Sequence, residues 1–369
     1  MNYQYNILFL SKNLMGGGAE SMLVNTAMML TAHGCQCHIL LLNEHIDFTV
    51  KNDILIHYAK LANKLRFKPI HQICLASRII QLDKKIGGFD LILSNYATTG
   101  KSFLPNHLKH KFYYWLHLDY TTEFNRTKKT SAGQLKKFIQ GLHKRFSEKQ
   151  VISVSNGAKK ALLNQIQCKP DFIQTIYNPF NLESIRALSI QTVPNIPKQP
   201  FILHAARFSH DKRFDLLFTA FSKLKSNHML VLLTKQNNEL DYLISNHNLS
   251  NRVVITGFQQ NPYPWFKAAD LSILCSDHES FGNVIIESLI CGTPVVSTDC
   301  PSGPREILTG ELSNWLVPTD NADALADKIE EALSTDIQID DKYLERFSST
   351  AIIPQYLALI ERSRHKTNA

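Results

Sequence analysis

Two glutamates on either side of a predicted turn have the spacing that best indicates chemistry in this chain. Glu279 and Glu287 are eight positions apart, and the segment Phe281-Gly282-Asn283-Val284 lies between them. The apolar run 271–275 predicts a buried strand, Phe281-Gly282 a turn and Asn283 a helix start, and the helix is expected to end at Gly292-Thr293-Pro294. At about 3.6 residues per turn, Glu279 falls in the loop and Glu287 about one turn inside the helix.

This arrangement would suit a sugar nucleotide. The backbone N–H groups of a helix start attract anions such as phosphate. A carboxylate at Glu287 can accept two hydrogen bonds from a vicinal diol such as ribose. On spacing alone, however, two solvated glutamates at the surface are an equally good interpretation.

Two basic residues upstream suit the same ligand. Arg207 directly follows the predicted strand Phe201–Ala206, and Lys212 precedes the next predicted helix. Cations at a strand end and at the following helix start can converge on one point, where they would suit a diphosphate.

Together these motifs resemble the signature of the retaining glycosyltransferases of family 4. The resemblance rests on Glu279, the seven residues after it, Glu287, and the segment CGTPVVSTDCPSGPREI from Cys291 to Ile307. It extends over nearly the whole chain, is densest from Phe201 to Leu308, and is weak between about residues 45 and 90. It implies an α/β protein with the GT-B fold, in which two Rossmann-like β/α/β domains face a cleft and the C-terminal helix crosses back to the first domain.

The resemblance also implies a division of the chain. We expect an N-terminal, acceptor-side domain at 1–180, a linker at 181–200, a C-terminal nucleotide-sugar-binding domain at 201–350 and a crossover helix at 351–369. The linker contains the segment 191–200, which is rich in proline and lacks periodicity.

By resemblance, the expected catalytic residues are His117, Arg207, Lys212 and Glu279. Arg207 and Lys212 would bind the donor diphosphate, and Glu279 would hold sugar hydroxyls. His117, at the end of the run Phe112–Leu116, would contact the donor sugar or the reacting groups, although a lone histidine is more often structural. The expected substrate-binding residues are Gly17, Gly18, Glu20, Phe258, Phe281, Gly282, Asn283, Val284 and Glu287.

Two positions depart from the family's pattern. Arg213 stands where a glycine is usual, which adds charge and changes the requirements of the turn. After the apolar run 229–233 the family commonly has a glycine-rich turn, whereas this chain has Thr234-Lys235-Gln236-Asn237. Lys235 is therefore a candidate for a further cation near the donor.

The glycine segment near the amino end allows a different interpretation. A strand at 6–11, the turn from Met15 to Glu20 and a helix from about Ser21 suggest a dinucleotide site, with Glu44 as its ribose acid. Ser21 stands where the third glycine would be, which disfavours an oxidoreductase. A turn that merely needs positive φ is the simpler alternative for any one of these glycines.

Composition limits the class of protein. With 369 residues, 44% of them apolar, the chain is long enough for two α/β domains. No apolar run approaches the roughly 18 residues of a membrane span, and the start lacks a signal-peptide layout, so we expect a cytoplasmic protein. Seven cysteines without a CxxC pair suit reduced thiols. No Asp-x-Asp pair stands in a suitable turn, so we expect no metal and no cofactor besides the nucleotide-sugar substrate.

The net charge of +8 indicates acidic partners. Segment 101–149 has eleven basic residues against three acidic ones, and Leu135, Phe138, Ile139, Leu142 and Phe146 lie on one predicted helical face beside Lys136, Lys137, Lys144 and Arg145. Such a helix could contact the anionic inner face of the cytoplasmic membrane, or it could be a core-packed helix with a solvated basic rim. Without an aromatic stacking platform, nucleic acid is not an expected partner.

The expected function is transfer of a hexose or N-acetylhexosamine from a nucleotide sugar, with UDP as the favoured carrier. The expected acceptor is a glycan, with a lipid-linked glycan favoured, in cell-surface polysaccharide or lipopolysaccharide biosynthesis. The alternatives are a nucleotide-sugar epimerase or hydrolase on the same fold, and a non-catalytic partner of another transferase. The sequence identifies neither the sugar, the linkage, the acceptor nor the oligomeric state.

Overall fold

The computed structural model describes residues 3–15, 17–47, 50–59, 68–95 and 101–367. Gly16, part of the predicted glycine turn, lies outside these residues. The chain divides into two compact units: residues 1–180 together with 347–369, and residues 181–346.

The first unit is built on a parallel sheet of seven strands in the order β3-β2-β1-β4-β5-β6-β7. The strands are apolar along nearly their whole length, as expected for a parallel sheet covered on both faces. Their bounds are β1 Tyr5–Ser11, β2 Cys35–Leu41, β3 Leu55–Tyr58, β4 Leu91–Ser94, β5 Phe112–Leu116, β6 Gln150–Ser153 and β7 Phe172–Thr175.

Helices connect these strands and cover the sheet. Their bounds are α1 Gly18–Ala32, α2 Lys68–Ile86, α3 Asn106–Lys109, α4 Thr121–Thr130, α5 Ala132–Phe146 and α6 Asn156–Lys160. Helix α1 begins earlier than the predicted Ser21, because Gly17 is its N-cap in an extended conformation with φ −102°. Gly18 and Glu20 therefore lie in the first helical turn, and the predicted turn is shorter than expected. Glu20 is favourable there because an acid suits the positive end of the helix dipole.

The second unit contains a parallel sheet of six strands in the order β10-β9-β8-β11-β12-β13. The strands are β8 Phe201–His204, β9 Met229–Leu232, β10 Val253–Ile255, β11 Leu271–Leu274, β12 Val295–Thr298 and β13 Leu316–Val317. The helices are α7 Leu182–Ser189, α8 Phe214–Phe221, α9 Asn238–Asn246, α10 Tyr263–Ala268, α11 Asn283–Ile290, α12 Pro304–Ile307 and α13 Ala322–Ser334. Helix α7 lies within the segment that the sequence predicts as a linker.

The last helix, α14 at Ser349–Thr367, belongs to the first unit. Tyr356 places its ring 5.8 Å from that of Trp115 on β5. Arg362 donates to Gln150 at 2.9 Å and lies 3.9 Å from the ring centroid of Phe172. The return of the carboxyl-terminal helix to the first unit, which the resemblance implies, is thus confirmed.

Strand order determines where ligands are expected. In the second sheet β8 lies between β9 and β11, so the loops after β8 and β11 leave neighbouring strands at the same sheet edge. Ligands of open α/β sheets bind at the carboxyl ends of strands where the strand order reverses. These loops are 205–213 and 275–282, which carry most of the predicted site residues of this unit.

No helix in the described ranges is both long enough and apolar enough to cross a membrane.

Candidate functional site

An ion pair joins the two loops of the second unit. The Nζ atom of Lys212 lies 2.5 Å from Oε1 of Glu279. Ser276 Oγ donates to the same carboxylate oxygen at 2.7 Å, and the backbone N–H of Asp277 donates to the carbonyl of Asp211 at 2.9 Å. A side-chain pair and a backbone hydrogen bond therefore hold loops 205–213 and 275–282 together.

The ion pair is largely shielded from solvent. The side chains of Lys212 and Glu279 are 19% and 13% exposed. Burial disfavours the charged form of Lys212, but the attraction of Glu279 outweighs it, so the pKa of Lys212 is raised. Lys212 is consequently a permanent cation, and its charge in the free protein is balanced by Glu279.

Arg207 lies in the same loop, and its side chain has no partner among the residues that the structure describes. Its residue is exposed, and its side chain forms neither an ion pair nor a hydrogen bond within the described part of the chain. The sequence expectation that Arg207 and Lys212 converge on a diphosphate therefore stays a prediction, in which Arg207 would contribute the unengaged charge.

Helix α11 begins where the sequence predicts, at Asn283. Its N-cap is Gly282 with φ 93° and ψ 51°, a left-handed conformation that favours glycine, and this residue has no side chain with which to cap the first N–H groups. Phe281 is buried, whereas Asn283 and Val284 are partly exposed. The predicted helix start is thus correct, and it lies between the two glutamates.

A second glycine supports the turn at Phe281. Gly303 has φ 80° and packs so closely that a Cβ atom there would overlap the carbonyl group of Phe281. Gly303 is the N-cap residue of α12. In the structure it also permits the close approach of the segment before α12 to the start of α11.

Glu287 lies on α11 and differs from Glu279 in its surroundings. It is partly buried and forms no ion pair with any residue that the structure describes. Burial raises its pKa to about 7. Tyr263 is close enough that Glu287 adds to the effect of burial in raising the pKa of the tyrosine hydroxyl. Glu287 therefore titrates near neutral pH in the free protein.

The ends of β9 and β10 carry two further features. Phe258 follows β10 and is 52% exposed, so its ring can contact a ligand. Thr234 follows β9 and is 3% exposed, and its Oγ1 atom has no hydrogen-bond partner among the described residues. Lys235 next to it is exposed. Where the family commonly has a glycine-rich turn, this chain thus has the buried hydroxyl group of Thr234.

The contacts of Arg213 correct the expectation that this residue adds positive charge to the site. Its guanidinium donates to Asp215 at 3.0 Å and to Asp277 at 2.6 Å, and it also pairs with Asp320. The carboxylates of these three residues offset its charge. Its backbone has φ 51° and ψ 52°, the left-handed conformation that the glycine usual in the family would adopt more easily.

In the first unit, His117 directly follows β5. Its ring is 4.5 Å from that of Trp115. Burial lowers the pKa of His117 to about 3, so the imidazole is neutral at physiological pH. Its Nε2 atom is buried and has no hydrogen-bond partner in the described ranges. A neutral imidazole with an unsatisfied nitrogen suits a hydrogen bond to a ligand hydroxyl.

The glycine segment of the same unit lies at the start of α1. Neither Gly17 nor Gly18 has a positive φ, so the alternative of a turn requiring such a conformation is wrong for both. A Cβ atom on Gly17 would overlap the carboxylate of Glu20, which folds back over it. Asn95, just after β4, donates to the carbonyl of Ala19 at 3.4 Å.

Sequence reasoning overlooked Asn95 and Ser276. Asn95 has a buried Oδ1 atom without a partner in the described part of the chain, and Ser276 holds Glu279. Asn95 directly follows β4, and Ser276 is the second residue after the end of β11. Position after a strand, the signal that indicated His117, could have found them too.

Comparison with known proteins agrees with these features. A family model described as "Glycosyltransferase Family 4" matches residues 16–184, and one described as "Glycosyl transferases group 1" matches residues 188–352. Among solved structures, Anabaena HepE in complex with UDP and glucose superposes with a TM-score of 0.71 at 19% identity, covering 97% of this chain and 100% of that one. The chain therefore has the GT-B fold. It belongs to glycosyltransferase family 4.

Two curated relatives are similar over part of their length. A Campylobacter jejuni N-acetylgalactosamine-N,N'-diacetylbacillosaminyl-diphospho-undecaprenol 4-alpha-N-acetylgalactosaminyltransferase is 31% identical over 50% of this chain and 51% of its own. A Staphylococcus aureus poly(ribitol-phosphate) alpha-N-acetylglucosaminyltransferase is 24% identical over 81% of this chain and 60% of its own. The matched segments thus span about half to three fifths of these relatives.

Proposed function

We propose that this protein is a retaining glycosyltransferase that moves a hexose or N-acetylhexosamine from a UDP-sugar to a glycan acceptor. The observation that carries the proposal is the Lys212–Glu279 pair, held by two loops at the carboxyl edge of the second sheet, next in sequence to the start of α11 and to Glu287. A cation, a helix start and two carboxylates in different surroundings match the diphosphate, sugar and ribose of such a donor.

The relatives support an acceptor in cell-surface polysaccharide or lipopolysaccharide biosynthesis. The name of the Campylobacter jejuni relative describes an acceptor carried on diphospho-undecaprenol. A Rhizobium meliloti relative, 31% identical over 170 residues, is named as a lipopolysaccharide core biosynthesis glycosyltransferase. For this chain we infer a glycan acceptor on a lipid carrier.

The charges of the site support stabilisation of the leaving group. Cleavage of the glycosyl–phosphate bond builds negative charge on the departing diphosphate and positive charge on the sugar ring. Lys212, Arg207 and the start of α11 would stabilise the diphosphate, an electrostatic role worth about 3–4 kcal/mol for a well-placed group. Because Glu279 balances Lys212 in the free protein, the donor would have to share this lysine with it.

Retention is proposed to follow a same-face mechanism. A double displacement needs a carboxylate nucleophile below the anomeric carbon, and Glu279 is engaged with Lys212 and Ser276. In the proposed mechanism a donor phosphate oxygen takes the proton of the acceptor hydroxyl while that hydroxyl attacks. For His117 the proposed role is contact with the donor sugar or the reacting groups. We infer that the cations and the helix start replace a metal ion.

The protein is proposed to act in the cytoplasm, peripherally at the inner face of the membrane where a lipid-linked acceptor would be exposed. Helix α5 supports this proposal, because Lys136, Lys137 and Lys144 on it are exposed while Leu142 and Phe146 are buried. Anionic headgroups attract such a basic surface.

The proposal is tested by incubating the protein with a panel of nucleotide sugars and lipid-linked oligosaccharide acceptors, with products identified by mass. We expect one UDP-sugar to extend an acceptor by one sugar, in the presence of EDTA as well as without it. Arg207→Ala and Glu279→Ala should lower the yield strongly. Release of free UDP without any need for an acceptor would favour the epimerase or hydrolase alternative, and no reaction with any donor would favour the non-catalytic one.

A further inference from the structure

Arg213 is the position at which this chain departs from the family's pattern and also carries backbone strain. Its φ of 51° and ψ of 52° lie in the left-handed region, where residues other than glycine are disfavoured. An arginine there must contribute something through its side chain that offsets this cost. The side chain is 16% exposed, so its contacts lie within the protein.

Those contacts join three segments of the second unit. The Nε and Nη2 atoms donate to the carboxylate of Asp215, each at 3.0 Å, in the first turn of α8. The Nη1 atom donates to Asp277 at 2.6 Å, in the loop after β11. It also pairs with Asp320, which precedes α13. The fork geometry of a guanidinium allows one side chain to bind all three, which a lysine cannot reproduce.

Arg213 and Lys212 connect the same two loops through different carboxylates. Lys212 binds Glu279, and Arg213 binds Asp277, two residues earlier in the same loop. The backbone hydrogen bond from the Asp277 N–H to the Asp211 carbonyl connects the same two loops. The position of Asp277 relative to the lysine loop is therefore fixed by Arg213 as well as by the backbone.

The charges around Arg213 are unbalanced without it. Asp215, Asp277 and Asp320 face one guanidinium, and Asp211 lies 3.9 Å from Lys212. If Arg213 were neutral, these carboxylates would leave a negative potential around the lysine that is proposed to meet the diphosphate. Like charges at such distances repel, and partial burial strengthens the repulsion.

We propose that Arg213 is a positioning residue for donor binding, which holds the loops of Lys212 and Glu279 together and neutralises aspartates that would otherwise repel a nucleoside diphosphate. The proposal rests on the proposed function of the same site. Arg213 acts through Asp277 and Asp320 and does not itself touch the donor. Its raised pKa, due first to its hydrogen bonds with Asp215, agrees with a permanent charge in this role.

The test is calorimetric titration of UDP at low ionic strength into wild type and variants. Arg213→Gly fits the backbone conformation and should fold, and Arg213→Gln removes only the charge and fork. Both should raise the dissociation constant of UDP about tenfold, with a larger rise in donor KM than fall in kcat. Arg213→Lys, which keeps the charge, should recover part of the loss.

Removing the repelling charges provides the decisive arm. Adding Asp277→Asn and Asp320→Asn to Arg213→Gln should restore most of the UDP affinity, which a merely structural loss would not allow. Lys223→Gln is the matched control, because Lys223 forms an exposed pair with Asp323 in the same unit, and it should bind UDP as wild type does. Wild-type affinity for UDP in Arg213→Gly, or no recovery of affinity in the triple variant, would overturn this inference and leave the proposed function standing. No UDP binding by the wild-type protein would contradict the proposed function and this inference with it.

Discussion

At the scale of single residues, the two glutamates of the sequence motif differ from each other because their surroundings differ. Glu279 is paired with Lys212 and receives a hydrogen bond from Ser276. Glu287 has no cationic partner among the described residues, and burial raises its pKa to about 7. Glu279 is therefore held in place by an ion pair and a hydrogen bond, whereas the carboxyl group of Glu287 changes its charge near pH 7.

Glu287 predicts a pH dependence of nucleotide binding. Only the ionised carboxylate can accept two hydrogen bonds from the ribose diol, so UDP affinity should increase as the pH rises through about 7. Glu287→Gln should bind UDP at least about tenfold more weakly at pH 8, since hydrogen bonds to a charged group are worth roughly 1.5–3 kcal/mol each. Calorimetry at pH 6, 7 and 8 measures both effects, and a parallel pH profile in wild type and variant would refute the assignment.

The same carboxylate predicts a stability effect of known sign in the free protein. The folded-state pKa of about 7 lies above the ordinary value of 4.5, so the folded state binds more protons than the unfolded state between these values. Stability from this group therefore falls as the pH rises from about 4.5 to 7. Glu287→Gln should melt at a higher temperature than wild type at pH 8, with a difference that shrinks towards pH 5. Thermal melts without ligand check this, and an opposite trend would mean that Glu287 is stabilised as a charge.

Gly303 predicts a steric effect on the start of α11. Gly303→Ala would place a methyl group against the carbonyl of Phe281, so we expect a loss of roughly 2–4 kcal/mol in unfolding free energy and weaker UDP binding. Gly34→Ala is the control, since Gly34 has φ 81° with nothing within 4 Å of an added Cβ. Denaturant titrations separate the cost of overlap from the cost of backbone conformation. Equal losses in the two variants would show that Gly303 is needed only for its φ.

At the scale of elements, the sequence predicted those features that depend on neighbours in the chain. The start of α11 at Asn283 and the strand at Phe112–Leu116 agree with the structure. Helix α1 begins three residues before the predicted start at Ser21, because its glycines fit an extended N-cap and a first helical turn as well as they fit a loop. The Lys212–Glu279 pair joins residues 67 positions apart, and no local pattern in the sequence contains that contact.

Helix α5 has the amphipathic character that its sequence indicates, with one difference. Lys136, Lys137 and Lys144 are exposed. Arg145 is partly buried and donates to the hydroxyl of Tyr120 at 3.0 Å. The predicted basic surface of four residues therefore contains three available charges, and Arg145 holds the helix to its own unit.

This difference sharpens the prediction for membrane binding. Reversal of Lys136, Lys137 and Lys144 to glutamate should abolish sedimentation with anionic liposomes, because each basic residue near such a surface contributes about 1 kcal/mol. Melting temperature and activity on a short soluble acceptor should be retained, since these side chains are exposed. Reversal of the exposed Lys51, Lys198 and Lys225 is the control with equal charge change and should still sediment. Undiminished sedimentation of the α5 variant would mean that this helix is an ordinary basic rim.

At the scale of the molecule, two parallel sheets with the strand orders of doubly wound folds followed from the β/α rhythm and the family resemblance. The network around Arg213 did not, because its three carboxylates come from three separate segments of the second unit. Repeating patterns in the sequence thus predicted the scaffold, whereas the charges that surround the site come together only in the folded structure.

Retention at the anomeric carbon is a prediction about the whole reaction. The product formed from an α-linked UDP-sugar should itself be α-linked, and its anomeric proton should show the small coupling of that configuration by NMR at early times. A trapped covalent glycosyl-enzyme would contradict the same-face mechanism, and a β-linked product would contradict retention.

The most direct test of the central claim is a calorimetric comparison of UDP with uridine in wild type, Lys212→Ala and Glu287→Ala. The proposed site binds the diphosphate through Lys212 and the ribose through Glu287. Lys212→Ala should therefore weaken UDP about tenfold or more while uridine is unaffected, and Glu287→Ala should weaken both ligands by similar factors. Equal losses for both ligands in Lys212→Ala, or unaltered UDP affinity in both variants, would contradict the account.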